Sequence, residues 1–118
     1  MFSNELLEFL NTEITFSKSR LFKDKGLEIY IRNSPYILPN ETVRVICIAL
    51  ISIEPEYRFK GLGSSVIEVI HSFNPTKYTL IELVGNPVLA SLLERRLWLK
   101  YSVDDLFLTY NYYKATGK

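Results

Sequence analysis

The chain has 118 residues, of which 47% are hydrophobic and 23% charged, so it is neither disordered nor fibrous and fits one domain, residues 1–118, with a core of its own. A net charge of +1 supplies no global basic field, and nucleic acid is not an expected partner. One cysteine, Cys47, excludes an internal disulfide, and the longest apolar run, Val45 to Ile51, falls far short of the ~20 residues of a membrane helix.

Met1-Phe2-Ser3-Asn4-Glu5 lacks the basic start and apolar core of a signal peptide, so the expected compartment is the cytoplasm, with no membrane partner. Asn4 to Leu10 predicts a short helix with Leu6, Leu7 and Leu10 on one face and Ser3 or Asn4 as its cap. Thr12 to Phe16 alternates weakly, as a strand would. Leu27, Ile29 and Ile31 alternate with Glu28, Tyr30 and Arg32, the pattern of a half-buried strand. Asn33 to Thr42 holds Pro35, Pro39 and Asn40 and reads as a loop.

Arg44 to Glu54 is rich in Val and Ile and reads as a central strand buried on both faces. After Pro55, the residues Leu62, Val66, Val69, Ile70 and Phe73 follow helical spacing, with Ser64, Ser65, Glu68 and His71 on the polar side. Asn74-Pro75 stops that helix. Tyr78 to Val84 is a second apolar strand, and strand–helix–strand in this order predicts a parallel pair. Asn86-Pro87 opens a helix whose apolar face is Val88, Leu89, Leu92, Leu93 and Leu97. Trp98 to Lys114 reads as two strands turning at Asp104-Asp105, with Tyr110, Tyr112 and Tyr113 as sheet packing. The fold class is α/β (α+β): a mixed, mostly antiparallel sheet with a parallel step at its centre, flanked by helices.

The chemistry points to one stretch, Ile51-Ser52-Ile53-Glu54-Pro55-Glu56-Tyr57-Arg58-Phe59-Lys60-Gly61-Leu62-Gly63-Ser64. A buried strand ends, a loop follows, and two glycines stand where a helix begins. The first turn of a helix has N–H groups without internal partners and the positive end of the macrodipole, and glycine lets an anion reach them. Arg58 and Lys60 add positive charge. Two glycines alone favour the plainer reading of a tight turn. The Walker ending Gly-Lys-Ser/Thr is absent, and the third glycine of a dinucleotide fingerprint is Val66 here.

The stretch resembles motif A of the GNAT N-acetyltransferases, a strand ending in aliphatic-x-Pro followed by Arg/Gln-x-x-Gly-x-Gly/Ala. Arg58, Gly61 and Gly63 fill its fixed positions, Ile53 and Pro55 match its lead-in, and Tyr78–Val84 followed by Asn86 matches the family's next strand and its helix-opening Asn. The resemblance runs from about Arg44 to Tyr110. It implies that the central strand splays from its parallel neighbour and that Ile51, Ser52 and Ile53 pair with the pantetheine arm of acetyl-coenzyme A. It implies that Arg58, Phe59, Lys60, Gly61, Leu62, Gly63 and Ser64 hold the pyrophosphate and that Asn86 touches the cofactor from the far side. A plain helix cap serves Asn86 equally well. The activity implied is transfer of an acetyl group to a primary amine on a small molecule or protein, without metal.

The sequence departs from the family in three places. The tyrosine that reprotonates the leaving thiolate falls on Leu93, which leaves Tyr101 as the nearest substitute, or water. The Gly-Phe after that helix aligns with Leu97-Trp98. The base of the histone-modifying members falls on Cys47, which leaves Glu54 and Glu82, of which Glu54 is expected nearer the parting of the strands. His71 is expected to be exposed. The alternative that these departures leave open is a catalytically weak or inactive module that keeps the fold and its acyl-coenzyme-A or protein interactions. Met1 to Lys25 is short for the family's N-terminal strand and two helices, so an open acceptor groove, or one completed by a second subunit, is expected. The aromatic final strand offers a surface for pairing with a second copy.

Overall fold

The computed structural model describes residues 3–11, 17–24, 26–37, 40–57, 61–104 and 109–118. Helix α1 (Ser3–Asn11) buries Leu6, Phe9 and Leu10, one residue rotated from the leucine face predicted. The strand expected at 12–16 lies outside the described residues. Instead the first described strand is β1 (Lys18–Asp24), whose charged sequence hides it, because only Phe22 faces the core. It pairs antiparallel with β2 (Leu27–Ile37) along Lys18–Asp24 and Leu27–Asn33.

Strand β2 runs past the point where a loop was expected. Pro35 sits opposite Arg44 in the ladder with β3 (Thr42–Ile53). The described β1–β2 ladder ends at Lys18↔Asn33, before Pro35, so no described residue of β1 stands opposite the missing N–H. In β3, burial on both faces is confined to Val45–Ile48, and the strand becomes half-exposed towards Ile53. A one-turn helix (Pro55–Tyr57) leads towards helix α2 (Leu62–Phe73), whose bounds match the expectation. Its buried face is rotated, however. Gly63, Val66, Ile67 and Ile70 pack inward, whereas Val69 and Phe73 are exposed.

Buried Asn74 ends α2 and starts β4 (Tyr78–Val84). Its Nδ2 donates to the Tyr78 carbonyl at 2.9 Å and to Thr79 Oγ1 at 2.7 Å, and its Oδ1 accepts from Thr76 N at 2.7 Å. Helix α3 (Pro87–Arg95) buries Ala90 and Leu93 but leaves Val88 exposed. Leu97, placed on the helix face by its spacing, instead has φ 68° and is 76% exposed beyond the helix end. Strand β5 (Leu99–Asp104) and strand β6 (Thr109–Ala115) pair antiparallel, as expected of two strands; Asp104 of the expected turn ends β5, and residues 105–108 lie outside the described residues.

The six described strands form one sheet in the order β1-β2-β3-β4-β6-β5, antiparallel except for the β3–β4 pair. The final strand β6 has β4 on one side and β5 on the other, so the pairing expected with a second copy has no free edge there. Alternation divides the core. Leu27, Ile29, Ile31, Ile46, Ile48, Ile81 and Tyr112 face the three helices in one cluster. Val45, Cys47 and Leu80 face the other way, joined by half-buried Tyr36, Tyr78, Tyr101 and Tyr113, and no helix residue among those described belongs to that second cluster.

Candidate functional site

Strands β3 and β4 are in register only over Val45–Ile48 and Tyr78–Ile81. Irregularities mark the place where they part. The β2–β3 register steps from Ile31↔Ile48 to Tyr30↔Leu50, leaving Ala49 as an extra residue, and the β4–β6 register jumps across Glu82 and Leu83. A bulge bends its strand and interrupts the ladder. Beyond Ile48, therefore, β3 keeps β2 on one side and presents backbone without a β4 partner on the other.

The gap opens into a cleft of about 420 Å³ lined by Ile51, Ser52, Ile53, Gly61 to Ser64, Asn86 and the apolar Val88, Leu89 and Leu92. Residues 58–60, and with them Arg58, Phe59 and Lys60 of the stretch expected to bind an anion, lie outside the described residues. The rest of that stretch is in the cleft wall. Gly61 takes φ 73°, ψ 10° at the N-cap of α2, a left-handed conformation suited to glycine. Among the described residues, no side chain caps this helix start. Ser64 Oγ donates to the Gly61 carbonyl at 3.1 Å rather than accepting from an amide, and the first helical bond is Ser65 N to Gly61 O at 2.9 Å. A Cβ at Gly63 would come within 3.0 Å of Ile53 Cδ1, so the helix start packs closely on the free end of β3. The amides of the first turn and the open strand edge thus line one cleft, an arrangement that fits an anion joined to an extended amide-bearing arm.

On the other wall, Asn86 is a true cap. Its Oδ1 accepts from Val88 N at 2.9 Å and Leu89 N at 3.4 Å. The cap uses the oxygen and leaves the Nδ2 donors for a ligand, so the two roles anticipated for Asn86 are compatible. Leu93 is buried in the core beneath α3. Glu54 lines a separate cavity with Lys23, Asp24, Gly26, Leu27, Glu28 and Ser52, and its backbone N–H donates to the Gly26 carbonyl at 2.7 Å.

On the helix-free face, the carboxylate nearest the parting is Glu82, one residue beyond the last β3–β4 pair. Its Oε1 accepts from Arg32 Nη2 in an ion pair and from Cys47 Sγ at 2.9 Å. Burial pushes the Cys47 thiol up to about 12, helped by its bond to Glu82 and that group's charge, with Arg32 opposing. The thiol is a donor here, not a nucleophile. Arg32 is held more firmly protonated by Cys47 and Glu82 although burial opposes this. Tyr101 also lies on this face. Its ring meets Tyr36 and Tyr113 edge-on, with centroids at 6.3 and 5.9 Å, and burial raises its hydroxyl above the usual range, with Tyr36 as a hydrogen-bonding neighbour.

Searched against protein-family models the sequence matches none, and a search of curated proteins finds no match. Solved structures do match its shape. A variant of the AtaT toxin, bound to the C-terminus of the antitoxin AtaR and to acetyl-CoA, superposes with a TM-score of 0.60 at 7% identity over 77% of this chain. This chain spans 59% of that one. The KacTA–DNA complex superposes with a TM-score of 0.61 at 10% identity, covering 98% of this chain and 81% of the other. An acetyltransferase of the GNAT family from Desulfovibrio desulfuricans gives 0.56 at 15% identity, covering 95% and 77%. The chain has the GNAT fold.

Two findings lie beyond the reach of the GNAT motif. Tyr57, Val88, Leu89 and Leu92 line the cleft. The signal for Val88 is in the sequence, since an apolar residue in the first turn of a short helix has little core to enter, and at 62% exposure it borders the cleft. Arg32 as the partner of Glu82 has no sequence signal, because the contact spans 50 residues and three strands. His71, expected on the exposed side, is half-buried. Its Nδ1 lies 2.9 Å from Thr79 Oγ1, and its ring lies 5.2 Å from that of Trp98. Burial lowers its basicity, with Lys114 adding to the effect.

Proposed function

We propose that the chain is one acyl-coenzyme-A-binding domain that moves an acetyl group from acetyl-coenzyme A to a primary amine by direct attack. The observation carrying this is the meeting of an uncapped helix start at Gly61 with the unpaired end of β3. The first-turn amides of Leu62, Gly63 and Ser64 would hold the pyrophosphate, with Arg58, Phe59 and Lys60 completing the loop. Ile51, Ser52 and Ile53 would pair with the pantetheine arm, and Asn86 Nδ2 would donate from the far wall. Bound acetyl-coenzyme A supplies the thioester, whose carbonyl an N–H near the strand parting would polarise.

An ammonium has no lone pair, so the acceptor must lose a proton. Glu82 is better placed for this than Glu54, being one residue past the last β3–β4 pair. Its bonds to Arg32 and Cys47 both converge on Oε1, which leaves Oε2 to accept. Leu93 supplies no acid, and Tyr101 is engaged with Tyr36, so the leaving thiolate takes its proton from water.

The acceptor is an amine on a small molecule or protein. Nucleic acid and membrane are not part of the reading, given the net charge of +1 and that no helix among the described residues is long and apolar enough to cross a bilayer. The free thiol of Cys47 fits the cytoplasm. The burial of Leu93 favours one rival, a domain that binds the cofactor without efficient transfer. Release of free coenzyme A thiol in the presence of an amine panel tests the two. Turnover above the rate of thioester hydrolysis supports the enzyme. Background rates with every amine, at saturating acetyl-coenzyme A, support the rival.

A further inference from the structure

Helix α3 ends in a turn that favours glycine but holds leucine. Leu97 N donates to the Glu94 carbonyl at 3.2 Å, and Trp98 N donates to the Leu93 carbonyl at 2.9 Å. Trp98 and Leu93 are both buried. This pair of bonds closes a helix through one residue in the left-handed region, where glycine is the usual occupant because a side chain crowds the backbone. Here that residue is Leu97, at φ 68°, and among the described residues it is the only one other than glycine with a positive φ. It is also the place where the GNAT resemblance expects a glycine. Packing does not offset the strain, since Leu97 is 76% exposed. A side chain that strains its backbone and buries almost nothing in its own chain points to a use outside that chain.

Leu97 borders a cavity of about 440 Å³ whose other walls are Glu68 of α2, Arg95 and Arg96 at the end of α3, and Lys114 of β6. Three cations meet one carboxylate there, in a chain whose net charge is only +1. Glu68 is paired with Arg96 at 2.9 Å, and Lys114 Nζ donates to the Arg96 carbonyl at 2.8 Å, so the wall is held in place. Arg95 takes part in none of the ion pairs among the described residues. The cavity lies at the opposite end of the nine-residue helix α3 from Asn86, about 14 Å away along its axis, and is separate from the cofactor cleft.

We propose that Leu97, Arg95, Arg96 and Lys114 form a docking site for an acidic peptide segment of a partner protein, one with an apolar side chain among its carboxylates. The apolar side chain packs on Leu97, and the carboxylates meet the arginines and the lysine. A nucleic acid fits less well, because Glu68 opposes phosphate in the same wall and Leu97 offers no ring for a base to stack on. A second copy also fits less well, because a two-fold contact here would set the same cations against themselves. The site does not depend on the acetyltransferase reading.

The experiment measures fluorescence anisotropy of three labelled probes with the wild-type chain, Leu97→Gly and Arg95→Glu. The probes are a pool of short peptides with Leu, Ile or Phe at the centre and Asp or Glu around it, a matched pool with Ser at the centre, and an oligouridylate. Wild type should bind the first pool saturably, and more weakly as salt is raised. Leu97→Gly should weaken that binding by about ten-fold or more, as loss of a central apolar contact does. The same variant should melt higher than wild type by about 2–5 °C, because it relieves the strained φ. A variant that folds better and binds worse separates docking from a structural role. Arg95→Glu should also weaken the first pool and flatten its salt dependence. Several results would overturn the proposal: no saturable binding of the first pool, equal binding of the two pools, unchanged affinity in Leu97→Gly, or a melt that Leu97→Gly does not raise. Tighter binding of the oligouridylate would overturn it in favour of nucleic acid. A dimer seen by sedimentation that Leu97→Gly dissociates would overturn it in favour of a second copy.

Discussion

Glu82 Oε1 and Cys47 Sγ lie 2.9 Å apart across the parallel strand pair, one residue from where its ladder ends. The position that the GNAT motif resemblance assigns to the histone-type carboxylate holds a thiol here, and a carboxylate, Glu82, stands on the neighbouring strand instead. The proposed base has therefore moved by one strand while staying at the parting. Replacing it should show this. Glu82→Gln keeps the shape and should lower kcat by about 10²–10⁴-fold with little change in acetyl-coenzyme A affinity. The same change at Glu54 should leave kcat within about two-fold of wild type. Steady-state kinetics with the preferred amine check both.

The thiol itself makes a prediction about stability. Burial and Glu82 raise it from 9.0 to about 12 in the folded chain. An acid that keeps its proton longer when folded contributes stability that is whole below pH 9. That stability is lost as the pH rises towards 12, because the unfolded chain deprotonates first. The unfolding free energy should fall by about 1.4 kcal/mol per pH unit in that window. Tyr101, raised mainly by burial, adds a fall in the same direction above pH 10. Urea unfolding at pH 8, 9.5 and 11 measures the slope, and Cys47→Ala should flatten it between 9 and 10. A stability that rises with pH there contradicts the burial argument.

Asn86 separates two roles by chemistry. Asn86→Ala removes the acceptor for Val88 N and Leu89 N and should cost about 1 kcal/mol of stability. Asn86→Asp keeps a capping oxygen, so stability should return. It lacks the amide donors and places a negative charge in the proposed anion cleft, so acetyl-coenzyme A affinity should stay low. Thermal melts and calorimetry on the two variants give the comparison.

At Gly61, φ 73° makes any side chain strained by about 1–2 kcal/mol. Gly61→Ala should show that cost in a melt while still binding the cofactor, since a Cβ there has only Ser64 Oγ nearby, at 3.9 Å. Gly61→Glu adds charge and bulk at the amide cradle and should weaken binding by about 100-fold or more, roughly 3 kcal/mol. Equal affinities for the two variants would place the anion elsewhere.

The sequence carried the parts of this fold that obey local rules. The helix Leu62–Phe73 and the strand Tyr78–Val84 have the predicted bounds, because a glycine start, an Asn-Pro stop and an unbroken apolar run each specify an end. What escaped depends on neighbours far along the chain. Strand β1 has a single buried residue, and β2 continues through Pro35, which stands opposite Arg44 of β3. The buried face of α2 includes Gly63 and Ile67 rather than Val69 and Phe73, a choice set by what the helix packs against. At the site, the glycine signature and Asn86 were legible as residue types in order. The union of Arg32, Cys47 and Glu82 was not, since it exists only once three strands lie side by side and the bulges open the pair.

The central claim is that main-chain nitrogens at the start of α2 clasp a diphosphate beside the open end of β3. Amide chemical shifts followed by NMR during titration with acetyl-coenzyme A test it most directly. The account predicts saturable shifts centred on Gly61, Leu62, Gly63 and Ser64, with companions at Ser52 and Ile53, and a Kd in the micromolar range, about −8 kcal/mol. Amides at these positions that stay unmoved while the cofactor is in large excess, or saturation with shifts confined to another part of the sheet, would contradict it.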